Sequence, residues 1–274
     1  MMLRKIWKSK QAMSGLIIIL LLFLLALCAP VFAPNDPEAI DVTLKFEDPS
    51  LQFPLGTDEM GRCILSRLIY GARYSIGIAV PVVVIIFGIS LFLGTLSAYC
   101  GGVIDRIFVI ICDIVMAFPP VVIILALIGA MGQSLMNLFL ALLLTLWAWY
   151  SKIVRSYVLL EKNKDYIAAA RVCESSHAKI ILKHIIPNIV PILLVSFTTC
   201  IGEVIVMISG FSYLGLGVGA GVPEWGSMLS NAKQYLFSHP EFILYPGLCI
   251  LLCVIGFNLF GEALREIVNP EEKI

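Results

Sequence analysis

The chain is poor in charge. Asp, Glu, Lys and Arg make up only 14% of its 274 residues, where a soluble domain carries about one quarter. Nineteen basic residues balance nineteen acidic ones, so no bulk field favours a polyanion and nucleic acid is not an expected partner. Motifs for common chemistries are missing too. There is no G-x-x-x-x-G-K-[ST] phosphate loop, hence no Walker-type ATP site, and neither H-E-x-x-H nor G-x-S-x-G occurs. The eight cysteines form no C-x-x-C and fall mostly in apolar runs. There they act as small hydrophobic residues, and no disulfide framework is expected. No paired catalytic constellation supports an enzyme.

What is present is apolar sequence, 59% of the chain, with a mean hydropathy of +0.96. A bilayer span needs roughly 20 apolar residues. Six stretches qualify: 13–33, 76–99, 104–129, 134–150, 189–211 and 243–261. Because lipid offers the backbone no hydrogen-bond partners, each is expected to be a helix. The fold class is therefore an all-α membrane protein of six transmembrane helices. The first run follows "RKIWKSK" and precedes "APVFAP", features shared with signal peptides. Its length and the charge distribution favour a retained span.

With six spans, the N-terminus, residues 100–106, residues 151–188 and the C-terminus share one side. That side holds fourteen of the nineteen basic residues and is expected to be cytoplasmic. On the other side, the Pro-rich, acidic segment after the first span reads as an extracytoplasmic loop. Thr57 or Asp58 can cap an interfacial helix whose Met60, Ile64, Leu68 and Ile69 share a face, with Arg62, Arg67 and Arg73 at headgroup level. Trp147, Trp149 and Tyr150 end the fourth span as an aromatic belt. Pro119 and Pro120 interrupt the third, as a plain kink or as the wall of a cavity. The Gly-rich "GLGVGAG" at 215–221 is not a dinucleotide fingerprint, since no strand–turn–helix unit surrounds it, and reads as a flexible outer loop. "PEWGSMLSNAKQYL" follows as a short helix.

"KDYIAAARVCESSHAKIILKHIIPNIVP", Lys164 to Pro191, breaks the apolar pattern on the basic side. It reads as two short helices. One covers Asp165–Cys173, smoothed by Ala168, Ala169 and Ala170. The other is capped by Ser175 or Ser176 and runs to Ile186, stopping before Pro187. A small-faced helix of this kind is either a solvated linker or a surface that lies in another protein's groove.

This stretch resembles the EAA loop of ATP-binding-cassette (ABC) importer permeases, with Ala169, Ala170, Ile185 and Pro187 at matching positions. Ala168 stands where the family has Glu, and Glu174 where it has Gly. "LGTDEMGRCILSRLIYGAR", "FSYLGLGVGAGVPEWGSML" and "NLFGEALREIVNP" resemble the dipeptide, oligopeptide and nickel group, specifically its second permease. "WAWYSKIVRS" and "NAKQYLFSHP" are most similar to nickel-type members. The resemblance implies a MetI-like fold of the type I importers and a path for nickel, another metal or a metal chelate, or alternatively for di- and oligopeptides. It implies a second homologous permease, an extracytoplasmic solute-binding protein, and two ATPase subunits that carry the ATP and magnesium, leaving no cofactor on this chain. Surrounding lipid is the remaining partner. It places ATPase coupling on Ala169, Ala170, Glu174, Ile185 and Pro187. The expected organisation is an N-terminal span, loop and interfacial helix over 1–74, a transmembrane core over 75–262 with the coupling loop at 151–188, and a cytoplasmic tail over 263–274.

Ionisable groups inside spans are costly and often mark pathways. Glu203 is therefore expected to face the bundle interior, with Cys200 and Met207 on the same helical face. Soft ligands on that face suit nickel, although core packing explains Cys and Met equally. Asp113 is a second path candidate, or a partner for a polar neighbour. An ion-coupled secondary transporter using Asp113 and Glu203 is the alternative class, and would carry inverted repeats and paired broken helices.

Overall fold

The computed structural model describes residues 2–217, 219 and 221–268. Its order is α1 (Met2–Lys8), α2 (Lys10–Leu27), α3 (Ala29–Phe32), α4 (Ile64–Cys100), α5 (Gly102–Met116), α6 (Pro120–Met131), α7 (Leu135–Lys162), α8 (Asp165–Val172), α9 (His177–Ile180), α10 (Ile186–Tyr213), α11 (Trp225–Ala232) and α12 (Glu241–Val268). Among the described residues, five helical stretches are long and apolar enough to cross a bilayer. The α5–α6 pair, apolar enough together and bent by 79°, brings the count to six when it is taken as one broken span. The six-helix expectation holds, and the details differ in instructive ways.

The third span is two helices rather than one kinked helix. Neither proline has an N–H to donate, and a residue that precedes proline is pushed out of the helical region. Pro119, which precedes Pro120, accordingly has φ −56° and ψ 134°, and Pro120 opens α6 at a position where its missing donor costs nothing. The second span begins earlier than expected. No separate interfacial helix forms at 57, because α4 runs unbroken for 37 residues from Ile64 across residue 74, about 55 Å at helical rise. Thr57 and Asp58 lie instead in a turn closed by an isolated bridge between Thr57 and Cys63.

Arg62 and Arg67 are buried within the protein rather than presented at its surface. They are 2% and 1% exposed. Arg62 pairs with Asp58 at 2.7 Å and Glu59 at 2.9 Å, and Arg67 Nη1 donates to the carbonyls of Pro37 and Gly221 at 3.0 and 3.2 Å. A buried guanidinium needs such partners. Arg73 alone of the three is exposed.

α7 does not stop at the aromatic belt; it continues to Lys162, so the first twelve residues of the expected 151–188 loop are helix. Pro187 does not stop the next helix either. A π turn at Ile181–Ile185 widens the backbone just ahead of it, and Pro187 falls in the first turn of α10, where a missing N–H is tolerated. His177–Tyr213 is thus one continuous helical stretch that contains a window apolar enough to span.

Of the expected outer loop at 215–221, residues 218 and 220 lie outside the described residues; α11 beyond it is anchored at its start. Trp225 is fully buried, its Nε1 donating to the Leu68 carbonyl at 3.0 Å. A Cβ at Gly71 would lie 2.5 Å from the indole, so only glycine lets α4 accept it. Glu224, also buried, caps α11 by accepting from the Gly226 and Ser227 amides at 2.9 Å each, and it accepts from Ser75 Oγ at 3.1 Å. Three donors compensate the buried carboxylate. Elsewhere α2 crosses α12 at Gly15, whose absent side chain allows the Phe260 backbone to approach.

Candidate functional site

The broken span opens a cavity of about 480 Å³. The α5–α6 elbow from Val115 to Pro120 forms one wall, α7 contributes Thr145, Leu146, Trp149 and Tyr150, and α10 contributes Glu203 and Met207. Most of the wall is apolar or aromatic. Glu203 supplies its formal charge. Elbow prolines leave a gap between helices that an unbroken helix would fill, so the expectation of a cavity at Pro119 and Pro120 is met.

Glu203 accepts a hydrogen bond at Oε2 from the Tyr150 hydroxyl at 3.1 Å. The Tyr150 ring, almost wholly buried, lies 5.0 Å from Phe197, which meets Phe87 edge-on at 4.5 Å. Those three rings fix where the hydroxyl points. Met207 lies beside Glu203 on the cavity. Cys200 does not join them: it is 1% exposed and packs behind the wall against the Tyr150 hydroxyl. The predicted face therefore divides, because three residues earlier on a helix also turns the side chain about 60° away. Asp113 lies outside the cavity on the open flank of α5 and pairs with Lys152 at 2.8 Å, the polar-neighbour outcome. Close by, Arg155 grips Asp105 with two bonds of 2.6 Å, tying α5 to α7. Among the described residues no group of three His, Cys, Asp or Glu side chains is placed to hold a metal ion.

At one end of the bundle, α8 and α9 form a small platform. Ile167, Ile180 and Ile185 are fully buried and hold it to the core. Lys162 Nζ donates to the Ala98 carbonyl at 2.5 Å, and the Tyr99 hydroxyl meets His177 Nδ1 at 2.8 Å. Tyr166 donates to Glu161 and accepts from Asn188 at 2.9 Å; burial first, and then the Glu161 carboxylate, push its phenol up to about 12. Of the expected coupling residues, Ala169, Glu174 and Pro187 are exposed, Ala170 is half-buried, and Ile185 lies beneath the surface. Val172 and Leu182 add exposed apolar area. Glu174 has φ +53°, in the left-handed region. A glycine position in the resembled motif thus coincides with a backbone that favours glycine.

Tyr150 was missed as a site residue because, read as the interfacial end of its span, it belonged to a belt. The continuation of α7 to Lys162 places it inside the bundle instead. The buried cluster of Asp58, Arg62 and Arg67, and the separately buried Glu224, left no sequence signal beyond isolated charges near apolar runs.

Comparison with known proteins agrees with this architecture. Residues 90–273 match the family model of the binding-protein-dependent transport system inner membrane component. Residues 1–52 match the N-terminal transmembrane domain of oligopeptide transport permease C. The chain is 36% identical over 264 residues to the nickel transport system permease protein of Escherichia coli strain K12, covering 96% of this chain and 94% of the relative. It is 35% identical to a dipeptide transport system permease protein of Alkalihalophilus pseudofirmus over 98% of this chain and 89% of that protein. It is 37% identical to a metal-staphylopine import system permease protein of Staphylococcus aureus over 98% and 93%. Matches of this extent set aside an ion-coupled secondary transporter and an enzyme. The chain belongs to the inner membrane components of binding-protein-dependent transport systems, as a multi-pass C-type permease subunit of an ABC importer in the nickel, dipeptide and oligopeptide group, with ATP hydrolysis carried out by separate ATPase subunits.

Proposed function

We propose that this chain forms half of a translocation path for nickel, or for another metal or metal chelate. The observation that carries this reading is the Glu203 carboxylate on the wall of the elbow cavity. A negative charge on a spanning helix opposes insertion unless it faces protein or water. Here it faces a space that a cationic cargo can enter. The nickel and metal-staphylopine permeases among the relatives favour a metal. The dipeptide permease, equally similar, keeps a peptide as the second reading.

The second half of the path comes from a homologous permease. A solute-binding protein delivers cargo at the α11 end. Two ATPase subunits, holding ATP and magnesium, dock on the α8–α9 platform, with Ala169 and Ala170 as the small contact surface. Glu174 and Pro187 shape the turns beside it, and Ile185 anchors it. Both termini lie in the cytoplasm, on the side that carries most of the basic residues. Residues 1–74, 75–262 and 263–274 serve as N-terminal region, core and tail.

The test is uptake of radioactive nickel, against uptake of a labelled dipeptide, in cells that express the full transporter from its own genes and lack other importers. Nickel uptake supports the metal reading. Dipeptide uptake without nickel uptake replaces it with the peptide reading.

A further inference from the structure

We infer that Tyr150 is a positioning residue for transport, holding Glu203 so that one carboxylate oxygen is presented to the cationic centre of the cargo. The inference rests on the reading of the elbow cavity as the path. Tyr150 donates to Oε2 at 3.1 Å. Among the described residues, Oε1 has no hydrogen-bond partner. An ionised carboxylate only accepts, so the phenol must be the donor, and it occupies one oxygen while leaving the other open.

The ring is not free to follow a moving carboxylate. Phe197 packs on it at 5.0 Å and Phe87 supports Phe197 at 4.5 Å. Cys200 lies behind the hydroxyl. Glu203, an exposed and flexible side chain on α10, is thereby given a fixed partner on α7. The remaining cavity wall has no other acid and no base. One fixed negative oxygen in an apolar, aromatic space selects for positive charge: a metal centre, its chelate, or the ammonium of a peptide. The chemistry is shared by both cargo classes, so the inference does not depend on which is carried.

The experiment is a double-mutant cycle on the assembled transporter in membrane vesicles. Initial uptake of nickel chloride and of a labelled dipeptide is measured for the parent, Tyr150→Phe, Glu203→Gln and the double variant, each normalised to the amount of assembled complex. Tyr150→Phe keeps the ring packing and removes only the donor. With whichever probe the parent transports, it is expected to raise the half-saturating concentration about tenfold, the lower end of the range for a lost hydrogen bond to a charged group, with a smaller change in maximal rate. In the Glu203→Gln background the same change is expected to add less than twofold, since the charged acceptor is already gone. Full multiplication of the two effects, or an unchanged Tyr150→Phe beside an impaired Glu203→Gln, overturns the role of Tyr150 and leaves the path reading intact. Parental uptake by Glu203→Gln overturns both. If the parent takes up neither probe, the cargo reading fails first; the same cycle read on ATPase stimulation by the loaded binding protein then decides the role of Tyr150, with non-additivity supporting it and additivity overturning it.

Discussion

The indole of Trp225 donates to the carbonyl of Leu68 across 157 residues of chain, at 3.0 Å and with the ring fully buried. This contact fixes the α11 segment to the start of α4. Replacing Trp225 with Ala is expected to lower stability by about 3–5 kcal/mol, the range for removing a large buried aromatic. Trp225→Phe keeps most of the packing and loses the N–H, so its loss should be nearer 1 kcal/mol. Thermal unfolding of the purified complex checks the order parent, Phe, Ala. Equal midpoints for all three would show that the anchor carries no weight.

Ala169 lies exposed on α8, where a small side chain leaves a smooth contact surface. Ala169→Glu is expected to abolish cargo uptake while leaving membrane insertion and protein level intact. ATPase activity of the assembled complex should no longer respond to loaded binding protein. Quantitative immunoblotting with uptake assays measures both. Full uptake in this variant rules out the platform as the ATPase contact.

Glu174 holds a left-handed backbone at φ +53°, which costs a residue with a Cβ roughly 1–2 kcal/mol. Glu174→Gly is expected to slow local opening of residues 170–178, with a net gain below about 1 kcal/mol because glycine also gives up more freedom on folding. Glu174→Ala keeps the Cβ and should show no gain. Hydrogen exchange of the platform amides compares the three, and a gain for Ala equal to that for Gly would place the effect in lost charge instead.

Six spans were legible because the bilayer demands long apolar runs, and such runs are visible without tertiary information. The platform was legible because Lys164–Pro191 interrupts them with a polar helical pattern. Boundaries were not. α4 absorbs most of its expected interfacial segment, where Arg67 is held by carbonyls from distant chain at Pro37 and Gly221, which periodicity cannot show. Pro187 looked like a stop because the π turn that accommodates it has no sequence mark. Within the site, Glu203 stood out as a carboxylate in a span. Tyr150 did not, since its meaning depends on α7 continuing past it. Cys200 shared a helical stripe with Glu203, yet burial separates the two.

Topology is open to direct measurement. With both termini cytoplasmic, reporter fusions after Asp48 and Gly219 should register outside, and fusions after Lys162 and at the C-terminus should register inside. A cytoplasmic signal at Gly219 inverts the orientation and moves the α8–α9 platform away from any ATPase.

The central claim is that the Glu203 carboxylate acts in transport rather than in packing. Its most direct test is cargo uptake by Glu203→Gln, which keeps the shape and removes the charge. The expected result is uptake at least tenfold slower than the parent at low cargo concentration, with near-parental amounts of assembled complex. Uptake at the parental rate, with Glu203→Leu lowering only the amount of folded complex, would make Glu203 a structural partner of Tyr150 and place the path elsewhere.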